Sequence, residues 1–263
     1  MLAVFAEDLI GLENDILHGG PSMMFQTLCN RNSRNIVYPL LLVLSTIIAP
    51  VVSEAGSFDD CLVAYEKGDF VTAAKCSRIE ADQGDIFAQN LLGLMYEKGE
   101  GVTQDYAQAV KWYQKAADQG SAGAQSDLGF MYVKGLGVTQ DYTQANKWFL
   151  KAANQGDTRA QTNLGVMYKQ GVGVDQNYEQ AVEWFQKAAD QGDALAQNLL
   201  GFMYVKGHGV TQDYAQAHKW FNLAAAKGHL DAAKSRDLVA QLMTLAQIAE
   251  AQKLAHEWKP KTP

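Results

Sequence analysis

Apolar and polar positions along the chain recur with a period of 36 residues, and the recurrence predicts the elements. Ala88, Leu92, Met95, Tyr96 and Gly99 fall at i, i+4, i+7, i+8 and i+11, a single stripe of an α-helix. Gly93 removes a side chain from that helix, so a neighbouring helix can approach closely there. Gly99 suits a left-handed C-terminal cap. Asp105 reads as the N-cap of a second helix, with Gln108 completing a capping-box arrangement. Tyr106, Ala109, Trp112, Ala116 and Ala117 form the second stripe, and Gly120 supplies the next stop. The same residue types return at 36, 72 and 108 residues further on, so four units occupy 88–123, 124–159, 160–195 and 196–231, with a degenerate fifth start at Ala232. One helix–turn–helix of this length cannot bury both of its stripes, whereas stacked copies can. The expected fold is therefore all-α, an α/α superhelical solenoid of stacked helix–turn–helix repeats.

The motif itself reads Ala-Gln-x-x-Leu-Gly-x-Met-Tyr, then Gly-x-Gly-Val, Asp-Tyr-x-x-Ala, Trp and Ala-Ala-x-x-Gly. It resembles the Sel-1-like repeat, a relative of the tetratricopeptide repeat, over the whole of 88–231. The resemblance implies a scaffold for protein–protein contacts whose first helices line a concave surface. It also implies a second branch. Some exported, cysteine-rich bacterial members of the family are linked to β-lactam or cell-wall recognition, with a cysteine pair in nearly every repeat. This chain carries no cysteine between Ala88 and Asp231.

A solenoid needs ends that do not expose apolar faces. Residues 56–87 read as an N-terminal capping helix pair, because Phe70, Ala73 and Gly84 sit 36 residues before Tyr106, Ala109 and Gly120. With its shortened loop, Cys61 aligns with Leu92 and Cys76 with Trp112, core-facing positions on two helices of one hairpin. A Cys61–Cys76 disulfide, worth about 3 kcal/mol for a loop of this size, is the expectation; two buried thiols are the alternative. Residues 232–258 read as C-terminal capping helices. Arg236 and Asp237 stand there where earlier units carry Leu-Gly, and Thr244 to Gln247 forms a capping box. Residues 259–263 are expected to be a mobile tail.

Residues 23–55 have the outline of a signal peptide. Arg31 and Arg34 precede a short apolar core through Leu40, Leu44 and Ile48, and Ser53 and Ala55 offer small residues before a cut at Gly56. The core is too short to span a membrane comfortably, which takes about 20 apolar residues. Residues 1–22 carry Glu7, Asp8, Glu13 and Asp15 with no Lys or Arg, so they read as an over-extended start or an unstructured extension. The alternative there is a helix through Leu9, Ile10, Leu12 and Ile16. The expected location is outside the cytoplasm, periplasmic or secreted.

Composition narrows the function. A formal charge of −7, from 22 basic and 29 acidic residues, gathers no phosphates and argues against nucleic-acid binding. Three cysteines are too few for a disulfide scaffold or a zinc cluster. The Gly-x-Gly loops follow helices rather than strands and lack a third glycine, so they read as helix stops. His208, His218 and His229 stand where the first unit has Glu100, Val110 and Ser121, and no metal-binding spacing joins them; they read as unrelated surface histidines. Trp112, Trp148, Trp184 and Trp220 read as core rather than as a carbohydrate-stacking ladder.

Binding is expected where units differ on a fixed scaffold. On the first helices this singles out Asn90, Leu94, Glu97, Lys98, Asp127, Phe130, Lys134, Asn163, Lys169, Asn198, Phe202 and Lys206, with Phe130 and Phe202 as apolar anchors. The alternative is plain exposure and packing between repeats. The leading expectation is a non-enzymatic adaptor for a protein or peptide, with no catalytic residue, cofactor or metal, and with membrane contact only through an uncleaved leader. The alternative is the cell-wall-directed branch, a β-lactamase-like hydrolase or a penicillin- or peptidoglycan-binding protein.

Overall fold

The computed structural model describes residues 58–261, and among them every regular element is an α-helix. In chain order these are α1 (Phe58–Glu66), α2 (Phe70–Asp82), α3 (Ile86–Lys98), α4 (Tyr106–Asp118), α5 (Ala122–Lys134), α6 (Tyr142–Asn154), α7 (Thr158–Gln170), α8 (Tyr178–Asp190), α9 (Ala194–Lys206), α10 (Tyr214–Ala226), α11 (Leu230–Ala240) and α12 (Leu245–Glu257). No helix among the described residues is long and apolar enough to cross a membrane. The leader at 23–55 and the segment 1–22 lie outside the described residues. Within the described residues the chain forms two compact units, 58–115 and 116–261.

In unit 58–115, α1 and α2 form a hairpin with Cys61 and Cys76 at disulfide distance, their Cα atoms 5.3 Å apart. Asp69 caps α2 by accepting from the Thr72 amide. Two apolar clusters hold the unit together. One joins Ala73, Ala74, Leu91 and Met95; the other joins Ala81, Ala88, Leu92 and Trp112. Gly93 lies under the Tyr113 ring, where a Cβ would come within 2.6 Å of Cδ1. That is the close approach expected of this glycine.

In unit 116–261, the hairpins α5–α6, α7–α8 and α9–α10 stack in order. Each second helix packs on the first helix of the next hairpin, and α12 packs on α10. Ala145, Phe149, Ala152, Leu164 and Trp184 make one buried layer; Ala181, Phe185, Leu199, Leu200, Met203 and Trp220 make the next. The rings of Phe149 and Phe221 lie over Gly129 and Gly201, where a Cβ would come within 2.7 and 2.5 Å of them. Each first helix ends on a left-handed glycine, as with Gly207 at φ +67 taking the Met203 carbonyl. The Thr244–Gln247 capping box forms in both directions.

The second glycine of each loop has a reason that spacing does not reveal. Gly209, at φ +70, lies against the backbone of Tyr178 at the start of the preceding second helix, and Gly173 lies against Tyr142 in the same way. Helix stopping therefore accounts for the first glycine only; the second marks the point where one repeat touches the backbone of the last.

Candidate interaction face

The residues expected on a binding stripe divide sharply by burial. In unit 58–115, Leu94 is buried. Glu97 is buried too, accepting a 2.6 Å hydrogen bond from the Tyr113 hydroxyl. Asn90 is half-buried with its Oδ1 enclosed, and Lys98 is exposed beside Glu100. In unit 116–261, Asp127, Asn198 and Phe202 are buried. Phe202 has no exposed surface and packs edge-on against Phe221, centroids 5.0 Å apart. It is a core residue, not a surface anchor. The physical reason is the layering: a first helix is covered by its own partner and by the second helix before it, so variation between units does not amount to exposure.

What remains open on α5, α7 and α9 is narrower. Phe130, Lys134, Asn163, Lys169 and Lys206 are half-buried. Lys134 reaches over the Phe130 ring at 5.7 Å, and Phe130 packs on the α6–α8 layer with its outer part accessible. The stripe thus keeps one aromatic edge, one amide and three lysines.

Several polar pairs lay beyond the reach of spacing. Arg159 on α7 donates to Asp127 on α5 at 2.6 Å, joining successive first helices. Burial pushes the Asp127 carboxyl up, and the Arg159 guanidinium opposes that shift. Asp193 is pushed up by burial and held back by the Ala196 amide and the Thr162 hydroxyl. A glutamine ladder runs between repeats: Gln155 donates to Gln125 and Gln191 to Gln161, each at 2.8 Å, while Gln125 and Gln161 bond the Ala117 and Ala153 carbonyls. Lys227 occupies the next rung, bonds the Gly192 carbonyl instead, and leaves Gln197 Oε1 buried without a partner. A cation rides on each repeated indole, with Lys151 over Trp148 at 3.9 Å and Lys187 over Trp184 at 4.0 Å. The indoles themselves are buried, in agreement with the core reading.

The three histidines go to three separate places. His208 stacks on Tyr178 at 4.5 Å, and His229 caps α11 by accepting from the Ala232 amide. His218 is not on the surface as expected: it is 4% exposed, with Nδ1 unpartnered. Burial and the nearby Arg236 push its pKa down, against the pull of Asp237. A histidine with a lowered folded pKa is bound to fewer protons in the folded than in the unfolded state, so its contribution is present above the unfolded value of about 6.5 and is lost as pH falls below it. Val182 fills the same register one repeat earlier. The urea midpoint is expected to fall between pH 7.5 and pH 5.5, and His218→Val is expected to reduce that fall. An unchanged pH dependence in the variant would place the titration elsewhere.

Comparison with known proteins follows the same period. The family model described as Sel1 repeat matches 86–121, 122–157, 158–193 and 194–229. These segments begin two residues before the units read from the sequence and keep their length. Among solved structures, a protective antigen present in uropathogenic Escherichia coli strains and displaying an SLR fold is 35% identical over 76% of this chain, with a TM-score of 0.68. The chain spans 45% of that protein's length. A Sel1 repeat protein from Oxalobacter formigenes is 31% identical, with 75% of this chain and 85% of that one covered and a TM-score of 0.64. No curated protein is similar enough to match.

Proposed function

The chain belongs to the Sel1 repeat family, generally a scaffold for protein–protein contacts, and from that premise we propose that it is a non-enzymatic adaptor that holds a peptide or protein along α5, α7 and α9. The observation that carries this reading is the half-buried stripe of Phe130, Lys134, Asn163, Lys169 and Lys206. These side chains keep accessible surface on first helices whose other variable positions, such as Asp127 and Phe202, are committed to packing between repeats. An aromatic edge beside lysines and an amide suits an acidic segment with an apolar residue. The adaptor works outside the cytoplasm, in the periplasm or secreted. The signal-like pattern at 23–55 and the Cys61–Cys76 pair at disulfide distance support that location.

The test is crosslinking capture from the envelope with the full chain as bait, beside a bait carrying Lys134→Glu and Lys206→Glu. Lysines on a half-exposed face can be reversed without opening the core, which Phe202→Glu could not do. One partner held by the first bait and lost by the second, with equal helicity in both, is expected. Equal capture by both baits would move the site off α5 and α9.

A further inference from the structure

The segment after α12 makes contacts of its own with α8 and α10. Trp258 leaves the helix in an extended conformation, φ −67 and ψ 138, two residues ahead of Pro260. Its indole packs into the α8–α10 layer and meets Trp220 edge-on, with centroids 6.4 Å apart. Three residues later, Lys261 makes two bonds to one residue. Its amide donates to the Asp190 carbonyl at 2.7 Å, and its Nζ to Asp190 Oδ2 at 2.8 Å. Asp190 is held ready at the C-terminal end of α8, where Gln186 donates to its other carboxylate oxygen at 2.9 Å. Gly192 lies beside the indole: a Cβ there would meet Lys227 Nζ first and stand 3.6 Å from Trp258 Cη2, an ordinary contact.

The seat exists in the last repeat for a reason visible in its residues. In the two preceding repeats, a lysine three positions after the tryptophan covers the indole: Lys151 over Trp148 and Lys187 over Trp184. Leu223 replaces it after Trp220, and the cation comes from Lys219 instead, at 4.0 Å. Trp258 and Leu223 both pack against the buried layer that holds Trp220. A main-chain hydrogen bond, one aromatic anchor and one lysine on a carboxylate are the contacts by which an extended peptide is recognised. The segment is also a displaceable occupant. Its lysine is 72% exposed, so the ion pair adds little, and the Trp258 Nε1 is buried without an acceptor.

The geometry points to a second, peptide-binding site formed by Asp190, Gly192, Trp220 and Leu223, which takes an extended partner segment bearing an aromatic residue three positions before a lysine and which the chain's own residues 258–261 occupy and guard in cis. This site lies apart from the stripe on α5, α7 and α9 and does not depend on it. A tethered occupant competes at a high effective concentration, so a free peptide binds well only when the tether is disabled.

The probe is a fluorescein-labelled peptide with the sequence of residues 256–263, titrated into the full chain and followed by anisotropy. The double variant Trp258→Ala, Lys261→Ala is expected to bind it at least tenfold more tightly than the unaltered chain. Adding Asp190→Lys is expected to abolish that binding. A peptide with Asp in place of Lys261 is then expected to restore it. A double variant of unchanged helicity that binds no better than the unaltered chain overturns the proposal. So does a mixture of the double variant with the unaltered chain that sediments as a dimer, since the occupant would then be a second copy. Hydrogen exchange on the unaltered chain keeps the test decisive if the variants fold poorly. Millimolar unlabelled peptide is expected to speed exchange at the Lys261 amide by severalfold, and unchanged exchange there overturns the proposal as well.

Discussion

Gly209→Ala is expected to destabilise the protein by about 3 kcal/mol, roughly twice the loss from Gly207→Ala two residues earlier. Both glycines are left-handed, at φ +70 and φ +67, so an alanine pays a similar backbone cost of about 1–2 kcal/mol at either position. Their surroundings differ. At Gly207 the nearest atom to a new Cβ is the Gln212 Cβ at 3.4 Å, an ordinary contact. At Gly209 the new carbon would overlap the Tyr178 carbonyl and come within 2.7 Å of the Glu179 amide nitrogen. Those are backbone atoms at the start of α8, and no rotamer change can move them aside. Either the loop lifts off the preceding repeat or α8 shifts, and overpacking of that kind adds about 1–3 kcal/mol. Urea midpoints of the two variants measure the difference. Equal losses would mean that the loop yields without disturbing α8. Gly173→Ala, against Tyr142, is expected to behave like Gly209→Ala.

That contrast also shows where reading the chain stops short. Period, helix ends and the core stripes depend on residues close in sequence, and positions such as Leu92, Met95 and Trp112 announce them by repetition. Gly207 was readable as a cap because a cap is a local event. The role of Gly209 depends on a backbone 31 residues earlier, which no local pattern displays. The candidate face was legible only in part for a related reason. Variation between repeats selected Phe130 and Phe202 alike, yet Phe130 retains accessible surface while Phe202 is sealed against Phe221. A residue that varies can face a partner or a varying neighbour in the next repeat. Asp127 is the second kind, matched by Arg159 rather than by a ligand. Residues 259–263 read as a mobile tail because they follow the last helix, and the Asp190 that Lys261 contacts lies 71 residues away in sequence. The hint lay just before the tail, in a tryptophan with no place in the repeat pattern.

Arg159→Leu is expected to cost about 3 kcal/mol at neutral pH, the low end for breaking a buried pair. The Arg159 side chain is 33% exposed and Asp127 only 7%, so removing the arginine strands a carboxylate that water barely reaches. The opposite experiment is expected to cost little. Leu91 and Leu199 occupy the register of Asp127 in other repeats, and Leu195 occupies that of Arg159. Asp127→Leu together with Arg159→Leu therefore places apolar side chains that this scaffold already accommodates. It is expected to be neutral or stabilising, because a buried ion pair rarely outweighs its own desolvation. The double-mutant cycle would then show a coupling of about 3 kcal/mol, of which most is the penalty of the orphaned charge. Acid separates the two contributions. Burial raises the folded pKa of Asp127, so the folded state holds that proton more tightly than the unfolded chain. Its contribution is then most favourable below the unfolded value of about 3.9 and is lost as pH rises through the folded value. Without the guanidinium the folded value rises further. The urea midpoint of Arg159→Leu is thus expected to approach that of the unaltered protein as pH falls from 7 towards 4, while the double variant shows no such convergence. A loss at pH 7 below about 1 kcal/mol would mark Arg159–Asp127 as an exposed pair in all but geometry.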